Sequence, residues 1–180
     1  MTTPVELFPL RCIRCDTPVP AKPDEVAWTC VQCGQGLLLY KNQDLVPINI
    51  HYSAAIPANG KGQPFWVTIG RVTLSRQVYG GGAGKMAEAE GFWGAGRQFV
   101  IPAYTCPLDT LLSLATQFLN QSPSLQEGPV ARYEPVTLSP DDAPALAEYI
   151  VMAVEAGRKD NLKAAEVSVY LEPPDLWVLP

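Results

Sequence analysis

Cys12-Ile13-Arg14-Cys15 and Cys30-Val31-Gln32-Cys33 are the stretches from which the rest of the chain is read. Each is a CxxC pair, and fourteen residues separate the two. One tight turn supplies two thiolates, and two such turns supply the four soft ligands of a tetrahedral metal ion, with sulfur at about 2.3 Å. The residue after each pair has to enter left-handed backbone, where Gly is easiest and Asn or Asp next. Those positions hold Gly34 and Asp16. Four cysteine ligands leave no coordination position open, so Cys12, Cys15, Cys30 and Cys33 read as a structural Zn2+ site and not a catalytic one.

The flanking residues agree with a hairpin that carries cysteines at its turn. Val26 to Cys30 reads as a short strand, Gly34-Gln35-Gly36 turns the chain, and Leu37 to Tyr40 returns as a strand. With Asp16 and Gly34 in place, residues 10–41 resemble the zinc-ribbon family. The resemblance implies a ribbon fold and a bound zinc. Ribbons occur in transcription factors, RNA polymerase subunits, ribosomal proteins and enzymes as accessory modules, so no activity follows from it. Rubredoxin also uses two CxxC pairs around iron, but the segment between the pairs is short for that family and its aromatic box is missing here. Zinc binding to finger-type peptides yields roughly 10–16 kcal/mol near neutral pH. The module's own apolar set (Val26, Trp28, Leu37, Leu39) is too small to fold it without the metal.

The whole chain has 180 residues, which suits a small module plus one ordinary domain. The expected division is a zinc ribbon over residues 1–44 and an α+β domain over 45–180. Charged residues make up 17%, against about 25% in ordinary soluble domains. The net charge is −5, and both parts are acidic: residues 1–44 carry four basic and five acidic side chains, the remainder nine and thirteen. Nucleic-acid binders advertise a basic face to neutralise phosphates, and no basic run exists here. Arg11 and Arg14 are the one local basic patch. Met1 to Phe8 has neither a basic n-region nor an apolar h-region. No run of about 18 apolar residues could span a membrane. A cytoplasmic protein is therefore expected, in a reducing compartment that favours metal ligation over disulfides.

In the body, Leu45 to Ile50 is an expected strand, and Pro47 confines it to an edge or to a start at the proline. Residues 53–64 carry loop chemistry. Phe65 to Leu74 and Arg97 to Ile101 are rich in β-branched and aromatic residues. Between them, residues 80–96 read as a long mobile Gly-rich loop. A first amphipathic helix starts at Cys106-Pro107 and buries Leu108, Leu111, Leu112, Ala115, Phe118 and Leu119. Val136 to Leu138 reads as a short strand. A second helix starts at Asp141 or Asp142, which keeps Pro144 within the first turn, and ends at Gly157. Glu166 to Leu171 alternates as a strand, and Leu176 to Leu179 is apolar. Two amphipathic helices on one face of a mainly antiparallel sheet make an α+β domain. Phe65-Trp66, Phe99 to Pro102 and Leu176 to Pro180 are diffusely similar to bacterial zinc-ribbon proteins of no assigned activity.

Other chemistry is thin. Gly80 to Lys85 is not a phosphate loop, since Tyr79 stands where Gly is needed and Met86 where Ser or Thr is needed. Cys106 at a helix start raises the question of a reactive thiol, although a small buried hydrophobe is the commoner role. His51, the only histidine, has no flanking catalytic motif. Asp141-Asp142 suits the negative start of a helix. Phe92-Trp93 lies between Gly91 and Gly94 and is expected to be exposed, as an anchor on a partner protein or a membrane surface. The expectation is a non-enzymatic, zinc-binding accessory or scaffolding subunit, with partner contacts at Phe92, Trp93, Arg11 and Arg14. The alternatives are a nucleic-acid-associated factor acting through the ribbon, and an enzyme whose site lies near Cys106 or His51.

Overall fold

The computed structural model describes residues 9–40, 44–79, 83–158 and 162–180. Two sheets organise it. A small antiparallel sheet holds β1 (Ala27–Thr29), β2 (Gly36–Leu39) and β3 (Leu45–Ile48) in that order. β3 is an edge strand, which is where Pro47 can do without a ladder donor. It pairs with β2 from Gly36↔Ile48 to Leu39↔Leu45, so the hydrogen-bonded unit of the cysteine module runs on to Ile48.

The larger sheet is built on β5 (Lys61–Val78), an uninterrupted strand of 18 residues. Along one side it pairs with β6 (Arg97–Pro102), from Phe65↔Pro102 to Gly70↔Arg97. Its first half also pairs with β9 (Asp175–Leu179), and its second half with β8 (Leu162–Leu171), both antiparallel. β4 (Ile50–Tyr52) adds parallel to β9, and β7 (Arg132–Tyr133) adds parallel to Lys61-Gly62. Gly70 is where β5 passes from one set of partners to the next. A Cβ there would fall 2.6 Å from the ring of Phe99.

Alternation along the central strands feeds two cores. Trp66, Phe99, Ile101 and Leu176 face the helices, while Phe65, Val67, Val100, Trp177 and Leu179 form a second cluster. The Trp66 indole donates to the Leu138 carbonyl at 2.8 Å. α2 (Leu108–Asn120) buries Leu111, Ala115 and Leu119, and α3 (Ala143–Ala156) buries Ala147, Ile150 and Val151. α3 is preceded by a 3₁₀ turn, Pro140–Asp142, whose Asp141 N–H donates to the Ser139 hydroxyl, and Pro144 falls in its first turn. Leu108, expected on the buried face, is exposed at the first position of α2, which starts after Pro107. Val136 makes an isolated bridge to Ala27 and no regular strand, and the strand pairing lies earlier, at Arg132-Tyr133.

The Gly-rich segment is corrected by the structure. Residues 80–82 lie outside the described residues, but Ala83–Trp93 is a helix, α1, so three α-helices stand among the described residues where two were expected. The expected exposure of Phe92-Trp93 is corrected with it: Trp93 is only 5% exposed and Phe92 is partly buried. Gly84 and Gly91 weaken the intrinsic propensity of this segment. What holds it helical is tertiary. Ala89 and Trp93, four residues apart on one face, are buried. The Trp93 indole donates to Glu155 Oε1 at 2.7 Å, and Arg76 donates to the Lys85 carbonyl at 3.2 Å. Arg97 stacks 3.9 Å over the Phe92 ring and donates to its carbonyl.

Glu155 has no exposed surface. Its carboxylate also meets Arg76 Nε at 3.1 Å and Arg158 Nε at 2.7 Å. Removing one partner of such a buried ion pair costs about 3–5 kcal/mol, because the other charge stays behind. We therefore expect Glu155→Ala to lower the unfolding free energy by about that amount in urea titrations. Trp93→Phe, which removes the indole N–H and leaves a smaller ring in the core, should cost at least about 1–3 kcal/mol.

Candidate metal centre

The two CxxC turns are built alike. In the first, the Asp16 N–H donates to the Cys12 carbonyl at 2.8 Å and the Cys12 N–H to the Thr17 carbonyl at 2.9 Å. In the second, the Gly34 N–H donates to the Cys30 carbonyl at 2.9 Å and the Cys30 N–H to the Gln35 carbonyl at 2.8 Å. Both turns close on left-handed backbone, Asp16 at φ 58° and Gly34 at φ 73°. Arg11 bridges to Pro18 just as Thr29 pairs with Gly36, so each turn caps a short antiparallel pair. Arg11 also donates to the Asp16 carbonyl at 3.0 Å and lies 3.3 Å from its carboxylate. Both side chains are well exposed, so the ion pair itself adds little.

The turns face each other. Cys12 Sγ lies 3.6 Å from Cys33 Sγ, and Cys15 Sγ lies 3.5 Å from Cys30 Sγ. All four sulfurs fall within 4.8 Å of one another. An ion about 2.3 Å from each sulfur of a tetrahedron sets sulfur–sulfur edges of about 3.8 Å. The donor set therefore fits one metal ion, and all four sulfurs are free thiols. Behind them, Cys12, Cys30, Trp28 and Leu37 are buried together, with Leu10, Val19, Leu39 and Leu45 packed on. The loop between the pairs is tied down by Glu25, whose carboxylate accepts from the Trp28 indole and the Lys22 N–H.

Electrostatics separates the ligands. The hydroxyl and the backbone N–H of Thr17 stabilise the Cys15 thiolate and lower it to about 6. The backbone N–H of Gln35 favours the Cys33 thiolate, yet desolvation and the three neighbouring sulfurs outweigh it and push Cys33 up to about 12. Four thiolates this close repel unless a cation sits among them.

The remaining candidates scatter. Arg14 is exposed and lines a shallow pocket of about 410 Å³ with Gln35, Asn49 and His51. His51 Nδ1 lies 2.6 Å from Glu127 Oε1, and the ring stacks on Trp177 at 4.8 Å. Those contacts pin β4 to the 126–128 segment. Cys106 lies two residues before the helix, and Pro107, not Cys106, is at the cap position. Burial, then the Asp109 carboxylate, push its thiol up, away from a reactive thiolate. Asp141 and Asp142 lie in the 3₁₀ turn before α3, as the start-of-helix reading expects. The buried set of Arg76, Trp93, Glu155 and Arg158 was invisible in sequence. Only Glu155 and Arg158 are close in sequence, three residues apart, and nothing in the spacing links that pair to Arg76 or Trp93. No family model, curated protein or solved structure matches the chain.

Metal capture needs thiolates, so affinity rises with pH. Above about 6 Cys15 already lacks its proton, and below that value the incoming metal has to displace it. In competition with a chromophoric chelator, the slope of log affinity against pH should steepen by about one proton as pH falls through about 6. Thr17→Val, without the hydroxyl, should move that break to higher pH. Space is open around Gly34, so Gly34→Ala meets only the left-handed backbone cost of about 1–2 kcal/mol. Urea unfolding of the metal-loaded variant against the parent measures it.

Proposed function

We propose that the chain is a zinc-ribbon protein of the cytoplasm that serves as a non-enzymatic accessory or scaffolding subunit of a protein assembly. The observation behind this reading is the closed four-sulfur cage, with its mirrored turns and sulfur edges of zinc size. Four thiolates occupy every tetrahedral position, so the ion is a staple and not a Lewis acid for substrate. The staple is integrated with the body. Ala27 and Leu38 of the module enter the main core, and the Val26 N–H donates to the Val136 carbonyl at 2.8 Å. Metal binding thus stabilises the face that the body presents as well as the module itself. Among the described residues no helix is long and apolar enough to cross a membrane.

The nucleic-acid reading gains no support from the basic pair. Arg11 is committed to Asp16 within its own turn, which leaves Arg14 alone beside an acidic chain. Phosphate recognition draws on several such cations together.

We expect the purified protein to be colourless and to hold one zinc per chain by elemental analysis. Chelation should change the fluorescence of Trp28, which is buried beside Cys12 and Cys30. Light scattering of protein isolated from native lysate should show a complex heavier than one chain, and chelation should dissolve it. A coloured ferric protein would overturn the zinc assignment. A monomer that recovers no partner at any zinc concentration would overturn the accessory role.

A further inference from the structure

Beyond Gly70 the long strand β5 outruns β6. Its residues 70–78 pair with β8 on one side, and among the described residues no strand continues the sheet on the other. In an antiparallel ladder alternate residues send both N–H and C=O to the same neighbour, so half of these backbone groups face the open edge. Among the described residues, the backbone hydrogen bonds of residues 71–75 are those of the β8 ladder. Natural edges are blunted by proline, by charged side chains, by bulges or by a covering helix or loop. Residues 71–76 hold no proline, their charges are Arg71 and Arg76, and the register shift comes only at Gln77/Val78. The charge that points inward, Arg76, is neutralised by Glu155.

This edge is walled. α1 runs beside it and leaves a cleft of about 500 Å³, lined by Val72 and Leu74 from the strand and by Met86, Ala89, Glu90 and Trp93 from the helix. That volume lies within the roughly 300–1,000 Å³ range of ligand pockets. Five strand residues along the cleft, 72–76, span about 17 Å, the length of a short extended segment. A strand edge facing a helix is the geometry in which a peptide gains main-chain hydrogen bonds from the edge and side-chain specificity from the helix. Met86 adds an adaptable apolar surface. Glu90 is exposed and makes no ion pair among the described residues, so it leaves the cleft with a negative charge.

We propose that this cleft accepts an extended peptide segment of a partner protein as an added strand against β5. An apolar side chain of the peptide packs toward Met86, Ala89 and Trp93, and a lysine or arginine meets Glu90. The proposal rests on the accessory-subunit reading and names the class of partner segment. The aromatic pair read from the sequence as an exposed anchor then serves differently, with Trp93 as part of the groove wall.

The test uses the full zinc-loaded chain and three capped heptapeptides of alternating valine and threonine. One carries a central lysine, one a central glutamate, and one is the lysine peptide N-methylated at alternate amides. Amide shifts and hydrogen exchange are followed by NMR. The lysine peptide should bind about threefold more tightly than the glutamate peptide, as expected for one exposed charge pair. It should protect amides within 71–77 and shift those of 86–94. Glu90→Gln, an exposed change that leaves the core intact, should erase the preference, and N-methylation should abolish binding. Absence of binding by all three peptides overturns the groove and leaves the accessory role to its own partner test. So does protection confined to another part of the chain. A dimer that protects the same amides without peptide assigns the edge to a second copy and also overturns the proposal.

Discussion

A carboxylate with no exposed surface has to be matched by charge and hydrogen bonds, and Glu155 is matched from three directions. Arg76 reaches it from β5, Trp93 from α1, and Arg158 from just past the end of α3. Arg158 goes on to Glu88, and Lys85 meets the same carboxylate, so the chain of charges runs out to solvent along α1. One buried anion thereby sets the placement of a helix that its own sequence scarcely favours. It also sets the gap between that helix and the second half of β5.

The cysteine module is joined to the body by a different device. The Thr29 hydroxyl lies 3.1 Å from the Tyr52 hydroxyl and 2.9 Å from that of Tyr133. Desolvation first of all pushes Tyr133 up to about 12, so it keeps its proton and its capacity to donate across the neutral range. Thr29 immediately precedes Cys30, so this hydroxyl cluster couples a cysteine turn to the sheet through one residue. The backbone link from Val26 to Val136 comes one residue before β1.

The metal centre was almost wholly legible in the sequence, down to the left-handed residues Asp16 and Gly34, because its determinants are local: ligand type, spacing and turn chemistry. The strands of the body were legible for a similar reason, since Phe65 to Leu74 carries a β signature that no helix would share. The failures are non-local. α1 has two buried side chains and two glycines, and its periodicity is too faint to separate from a loop; it forms because Glu155 lies opposite. β5 begins at Lys61, inside a stretch with loop composition, because β7 and β9 were there to pair with it. Val136 was read as a strand and is a single bridge, for want of a partner beyond Ala27.

β9 lies between β4 and β5 in the sheet order, although it comes from residues 175–179. During synthesis the larger sheet therefore cannot close around its centre until that late segment has left the ribosome, and β5 waits through about a hundred residues for its main partners. The cysteine module has no such delay, for its ligands all lie between residues 12 and 33. The cysteine turns can form early, while the second half of β5, which β6 does not reach, still lacks β8 and remains exposed. Protection of that strand from other nascent chains is then a matter of timing and chaperones, set by topology and not by the final stability of the fold.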